Sequence, residues 1–169
     1  MTLKTDKIFP RNGKAGDGGG IIQVVQTVMT AQFTTASVVS SGGYVDITGL
    51  AVTITPQSAS NKILCRAVIY NSNNNAVNFF RMLRGSTFIN QPSGTSSSGA
   101  SYNAHAHSYY DASFQDNTTI ELLDSPASTS ATTYKIQMGV TGSTGTINKF
   151  YNTSNYYGVS TITAMEVSA

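Results

Sequence analysis

The sequence predicts an all-β fold, a sandwich or barrel of about eight or more short antiparallel strands. Three observations carry this expectation. Apolar and polar residues alternate over short stretches bounded by clusters of Gly, Pro, Asn and Ser. No window combines apolar residues at i, i+3, i+4 and i+7 with helix-capping residues. Charged residues make up only 11% of the chain, against roughly 25% in ordinary soluble domains, and Ser, Thr and Gly fill the gap.

The pattern is clearest in residues 44–70, where YVDITGLAVTITP and KILCRAVIY flank the polar loop QSASN and read as a β-hairpin. In the first arm Leu50, Val52 and Ile54 alternate with Ala51, Thr53 and Thr55, which sets the large apolar groups on one face. Pro56 ends that strand because it has no N–H to give to a ladder. In the second arm Ile63, Cys65, Ala67 and Ile69 make one apolar face, while Leu64, Val68 and Tyr70 occupy the other beside Lys62 and Arg66. A sandwich strand needs only one covered face. The second apolar face therefore predicts a central strand or a subunit interface, with Leu64, Val68 and Tyr70 as the candidate interface residues.

Upstream, the β-branched run IIQVVQTV from Ile21 suits a buried strand, and residues 27–41 a weaker strand or extended edge, with Gly42 and Gly43 turning the chain. Downstream, NSNNNA at 71–76 reads as a polar loop. Residues 77–89 form a strand interrupted near Arg84 and Gly85, with Phe80, Met82 and Phe88 toward the core and Phe79 and Leu83 opposite. Residues 90–101 are low in complexity and exposed. Strand character returns after Tyr102, again at 118–124 through Ile120 and Leu122, and again at 132–140, where Tyr134, Ile136, Met138 and Val140 share a face. STITAMEV closes the pattern at Val167.

The length suits one domain, residues 21–169, behind an arm, residues 1–20. The arm carries Leu3, Ile8 and Phe9 as its large apolar groups and ends in glycines, so it could hardly fold alone and reads either as a disordered tail held on its own body or as an anchoring arm that gains order against a partner. Ile8, Phe9, Pro10 and Arg11 are its candidate anchoring residues, with Gly18 to Gly20 as a hinge. The net charge of +2 resides in the arm, through Lys4, Lys7, Arg11 and Lys14 against Asp6 and Asp17. A neutral body is a poor footprint for phosphates, so no nucleic-acid partner is expected. Cys65 stands alone, which excludes an intrachain disulfide and a thiolate metal cage and suits a small core residue. No run reaches the roughly 18 apolar residues of a membrane helix, and no apolar stretch follows the N-terminal positive residues as in a signal peptide. Neither membrane insertion nor secretion is expected, and synthesis in a cytoplasm is.

Several segments in order resemble one family: GGGIIQVVQT after the KTDKIFPRNG arm, YVDITGLAVTITP, SNKIL, RMLRGST, LLDSPAS, TTYKIQ and STITAMEV. The set resembles small virion structural proteins of bacteriophages, especially cyanophages and other aquatic phages, over nearly the whole chain; the match is weakest at residues 90–117. The resemblance implies a jelly-roll β-sandwich knob similar to the complement and tumour-necrosis-factor type, assembled as a homotrimer. It also implies a place in the virion, held to other phage virion proteins through residues 1–20. A short tail fibre or adhesion knob is the expected role, with a capsid decoration protein (head spike or cement) as the alternative and a soluble carbohydrate-binding module as the more distant one. The number three comes from the resemblance alone.

Three groups of residues invite chemistry. His105 and His107, the chain's histidines, stand at i, i+2 on one strand face and suit a shared metal around a threefold axis, against the plainer reading of two solvent-facing imidazoles. Tyr102, Tyr109, Tyr110, Tyr151, Tyr156 and Tyr157 lie among Asn- and Ser-rich loops, the composition of an adaptable recognition surface for a host surface polysaccharide, or else of packing between strands. Asp111, Asp116, Glu121 and Asp124 supply carboxylates, but solvation and turn capping account for them, and no G-x-S-x-G, phosphate-loop or H-E-x-x-H motif accompanies them. The expectation is a protein without enzymatic activity or cofactor.

Overall fold

The computed structural model describes residues 20–93, 102–109, 115–150 and 156–169. They form β1 (Ile21–Met29), β2 (Phe33–Thr35), β3 (Val45–Ile54), β4 (Lys62–Asn73), β5 (Val77–Arg84), β6 (Thr87–Phe88), β7 (Ala106–Tyr109), β8 (Gln115–Asp124), β9 (Thr132–Val140), β10 (Gly145–Ile147) and β11 (Ser160–Val167). Among the described residues there is no α-helix; a 3₁₀ turn at Val39–Ser41 precedes β3. The anchoring residues Ile8, Phe9, Pro10 and Arg11, together with Tyr110, Asp111 and Tyr151, lie outside the described residues.

In the first sheet β1 pairs with β11, β11 with the first half of β4, and β8 runs along the other edge of β4. The far half of β4 pairs with β10, which carries β2 on its outer side. The second sheet runs β3, β9, β5, with β7 and β6 sharing the remaining edge of β5. Every one of these ladders is antiparallel. The pairs β1·β11, β3·β9, β4·β8 and β5·β7 nest one inside another along the chain. That nesting is the wiring of a jelly roll, in which successive strands alternate between two sheets packed face to face.

The wiring overturns the predicted hairpin at residues 44–70. β3 pairs with β9 and β4 with β8, β10 and β11, so the loop between them crosses from one sheet to the other. The reason is that Leu50, Val52 and Ile54 of β3 and Ile63, Cys65, Ala67 and Ile69 of β4 all belong to one buried core, which requires them on opposing sheets. Tyr134, Ile136, Met138 and Val140 complete that core from β9, with Phe80 and Met82 from β5. Each is essentially inaccessible, and burying one such side chain is worth about 2 kcal/mol. Burial also pushes the Cys65 thiol up, with Asp124 adding to the shift, so Cys65 behaves as an apolar residue.

Other expectations need correcting. The β-branched run of β1 is covered on one face only: Ile21, Ile22, Val24 and Val28 remain exposed, β1 lying at the sheet edge with no described residue over its outer side. Asn71 to Asn73, read as loop, are the buried end of β4. Leu83 is buried as well, on the outer side of the second sheet beside its cross-strand partner Phe88, which the alternation had set toward the core.

Polar groups inside the sandwich sit at its two ends, where several of them pair across the sheets. At one end Asn73 Nδ2 donates to Asn78 Oδ1 at 2.6 Å and Asn78 Nδ2 to Asn71 Oδ1 at 3.0 Å. Asn71 Nδ2 donates to Thr118 Oγ1 at 2.9 Å, and Ser108 Oγ to Asn71 Oδ1 at 2.8 Å. At the other end Arg84 Nη1 pairs with Asp124, which also accepts from Tyr134 Oη at 2.7 Å. Glu166 is fully buried there, its Oε1 accepting from Gln57 N at 2.7 Å and Asn61 Nδ2 at 2.6 Å. Such partners offset the cost of burying amides and carboxylates, and Asn73 Oδ1 is left without one among the described residues.

Candidate functional site

Strand alternation fixes what the first sheet shows to solvent. With Ile63, Cys65, Ala67 and Ile69 inward, β4 must present Lys62, Leu64, Arg66, Val68 and Tyr70 outward. The register carries that face across four strands. Val24 of β1 stands beside Met165 of β11, which stands beside Leu64 of β4, which stands beside Leu123 of β8. Two residues along, the row reads Gln26, Thr163, Arg66 and Glu121, and two further along Val28, Thr161, Val68 and Thr119.

The outcome is an apolar row, a polar row and a mixed row. In the apolar row Val24 is 59% and Leu123 48% exposed, and Val28 in the mixed row is 54% exposed. Between them Gln26 Nε2 donates to Thr163 Oγ1 at 2.8 Å, and Arg66 lies 3.9 Å from Glu121, both half-exposed. A contiguous apolar surface with a thin polar stripe is the makeup of an interaction face rather than of a solvated one.

The structure thus brings the predicted interface residues Leu64, Val68 and Tyr70 onto one outward face, each half-buried in the single chain. Tyr70 differs from the other two. A Cβ at Gly158 would overlap the Tyr70 ring, so the ring is covered by the chain's own backbone. Exposed Val24, Val28 and Leu123 belong to the same face and were missed; the signal for Val24 and Val28 was the β-branched run of β1, read as a buried strand, and that for Leu123 its place two residues beyond Glu121 on the polar face of β8.

The histidine pair is split by environment. His105 Nδ1 accepts from Met82 N at 2.9 Å and its Nε2 meets Ile89 O at 2.8 Å, so both ring nitrogens serve the backbone. His107 is exposed and stacks on Phe79 at 5.9 Å. A metal at His105 would have to displace a hydrogen bond that fixes β5 or the segment after β6. Among the described residues no group of three or more His, Cys, Asp or Glu side chains is placed to hold a metal ion.

Of the predicted recognition tyrosines, Tyr102, Tyr109, Tyr156 and Tyr157 are all exposed, at 41 to 68%. They do not form one set. Tyr102 stacks on Phe79 with centroids 5.4 Å apart, and Tyr109 pairs with Val77 at the β5 edge, both on the second sheet. Tyr156 meets Phe150 edge-on at 6.2 Å, and Tyr157 bridges to Lys149 in the segment leading to β11. The carboxylates scatter likewise: Asp116 accepts from Asn117 N at the exposed start of β8, Glu121 lies on the first sheet's outer face, and Asp124 is buried. Burial of Asp124 corrects its reading as a turn cap.

No protein-family model matches the sequence, and no curated protein matches it. Among solved structures, the one titled "Structure of infectious bursal disease virus Gx strain" is similar to this chain with a TM-score of 0.40 and 11% identity. The alignment covers 98% of this chain and 44% of that chain, so this chain spans less than half its length.

Proposed function

We propose that the chain is a structural component of a virus particle of the bacteriophage type, a homotrimeric jelly-roll knob without catalytic activity. Residues 1–20 attach it to other virion proteins. The observation that carries this reading is the outward face of the first sheet, where Val24 and Leu123 are exposed and Met165 and Leu64 between them are half-buried in the single chain. A closed ring of identical copies covers such a face without polymerising. The partner is a second copy because the same row carries no net charge and the polar row beside it holds both signs, Arg66 and Glu121. The count of three follows the family resemblance.

A short tail fibre or adhesion knob fits exposed Tyr102 and Tyr109, which stand on the second sheet, away from the proposed interface, and are free to meet host surface glycan. Imaging of labelled protein on purified particles, together with its copy number, tests the assignment. A handful of trimers at the tail supports the fibre, and hundreds over the shell replace it with capsid decoration. Absence from purified particles overturns the virion role.

A further inference from the structure

The outer side of the second sheet holds a site that neither the interface nor the exposed tyrosines use. Arg66 and Arg84 each pair with a carboxylate, whereas Arg81 makes no ion pair within 4 Å among the described residues and feels Asp46 only at longer range. Its Nε donates to Gln137 Oε1 at 2.8 Å; Gln137 Nε2 in turn donates to Asp46 Oδ1 at 2.6 Å, and Lys135 takes Asp46 Oδ2 at 2.7 Å. The nearest carboxylate is therefore committed to other donors.

The guanidinium carbon lies 4.0 Å from the Tyr44 ring centroid and 5.4 Å from that of Phe88. Both rings are fixed: Tyr44 Oη donates to Asn103 O at 3.1 Å, and Phe88 meets the edge of His105, itself bonded at both nitrogens. Burial pushes the Tyr44 hydroxyl up to about 12 against the pull of Arg81, so the phenol stays neutral and a donor. Arg81 Nη1 and Nη2 hydrogen-bond to no described residue. Arg81 lines a cavity of about 360 Å³ together with Tyr44, Leu83, Ser86, Phe88, Gln91 and Asn103.

From this geometry we infer that the cavity binds an acidic sugar residue, with Arg81 taking the carboxylate. A guanidinium held rigid through Nε and two aromatic rings offers its terminal donors as a fork matched to the two carboxylate oxygens. Leu83 and Phe88 supply an apolar wall for ring C–H groups, and Ser86, Gln91 and Asn103 supply neutral donors and acceptors for hydroxyls. The volume lies at the small end of ligand pockets, which suits one or two sugar units. The inference rests on the glycan-binding part of the proposed function and names its substrate class. It is independent of the trimer, since all of these residues come from one chain.

The test is a titration of the full chain, followed by ligand-observed NMR, with methyl glucuronide, methyl glucoside and inorganic phosphate as probes. Glucuronide is expected to bind at least about tenfold more tightly than either of the other two, because only it satisfies both the fork and the wall. Arg81→Lys keeps the charge and loses the fork, and Ser86→Tyr fills the cavity from an exposed turn; each is expected to weaken glucuronide binding about tenfold or more. Folding of Ser86→Tyr does not depend on Arg81, so this variant decides the matter if Arg81→Lys is unstable. No glucuronide binding at about 10 mM, equal binding of the glucoside, or indifference to Ser86→Tyr overturns the inference. Phosphate binding as tight as glucuronide reduces the site to an anion site and overturns the sugar assignment. None of these results alters the oligomer or the particle location, which are measured separately.

Discussion

Arg84 Nη1 meets both carboxylate oxygens of Asp124, at 2.9 and 2.7 Å, and so ties the end of β5 in the second sheet to the end of β8 in the first. Tyr134 adds a third bond to the same carboxylate, and Asp124 itself raises the tyrosine's pKa further above the level set by burial. The pair is the clamp at one end of the sandwich. The Arg66–Glu121 pair, 3.9 Å apart and half-exposed, is the contrasting case.

Asp124→Ala is therefore expected to cost about 3 kcal/mol, since it leaves a partly buried guanidinium and a buried phenol without their acceptor. Arg66→Ala in the single chain is expected to change stability by less than about 0.5 kcal/mol. Urea unfolding of the two variants side by side gives the comparison, and equal effects would refute the clamp.

At the opposite end, Asn78 joins Asn71 and Asn73 across the two sheets. Asn78→Leu removes the acceptor of one amide and the donor to another while keeping the branched shape of the side chain. The expected loss is about 2 to 3 kcal/mol, read as a lower urea midpoint at unchanged slope.

Acid sensitivity should centre on His105. Burial holds its pKa below the ordinary 6.5, while the backbone carbonyls of Ile89 and Asn90 pull it the other way. The unfolded chain takes the proton first, so the stability His105 contributes is intact above the unfolded value and is lost as pH falls through the lowered folded one. Unfolding midpoints measured between about pH 8 and about pH 5 should fall for the natural chain. His105→Leu should flatten that slope and lower the midpoint throughout, because Met82 N–H and Ile89 O lose their partner.

Local alternation made β9 legible, along with the inward half of β4, because period-two burial depends only on neighbouring residues. The same rule reached further than it was taken. Continuing Ile63, Cys65, Ala67 and Ile69 by twos leads to Asn71 and Asn73, and continuing Ile162 and Ala164 leads to Glu166, all of them buried. Their polarity disguised strand as loop or surface. The crossing between β3 and β4 was not legible, since a short polar turn looks the same whether the chain returns to its own sheet or passes to the other. The Arg81 cavity was beyond reach as well, because Tyr44, Arg81, Phe88 and Asn103 meet only after three segments pack together.

The proposed assembly predicts its own disruption. Leu64→Glu places a carboxylate in the middle of the apolar row, flanked by Met165 and Leu123. If that row is covered by another copy, the substitution costs about 3 kcal/mol per subunit, roughly a hundredfold in association, with the circular dichroism of the fold retained.

Sedimentation equilibrium of the natural chain and of Leu64→Glu addresses the assembly through the first sheet most directly. The expected result is a mass of three times 17.9 kDa for the natural chain and a shift to the single-chain mass for the variant. A natural chain that stays at 17.9 kDa at high concentration, or a variant that remains trimeric, would contradict it.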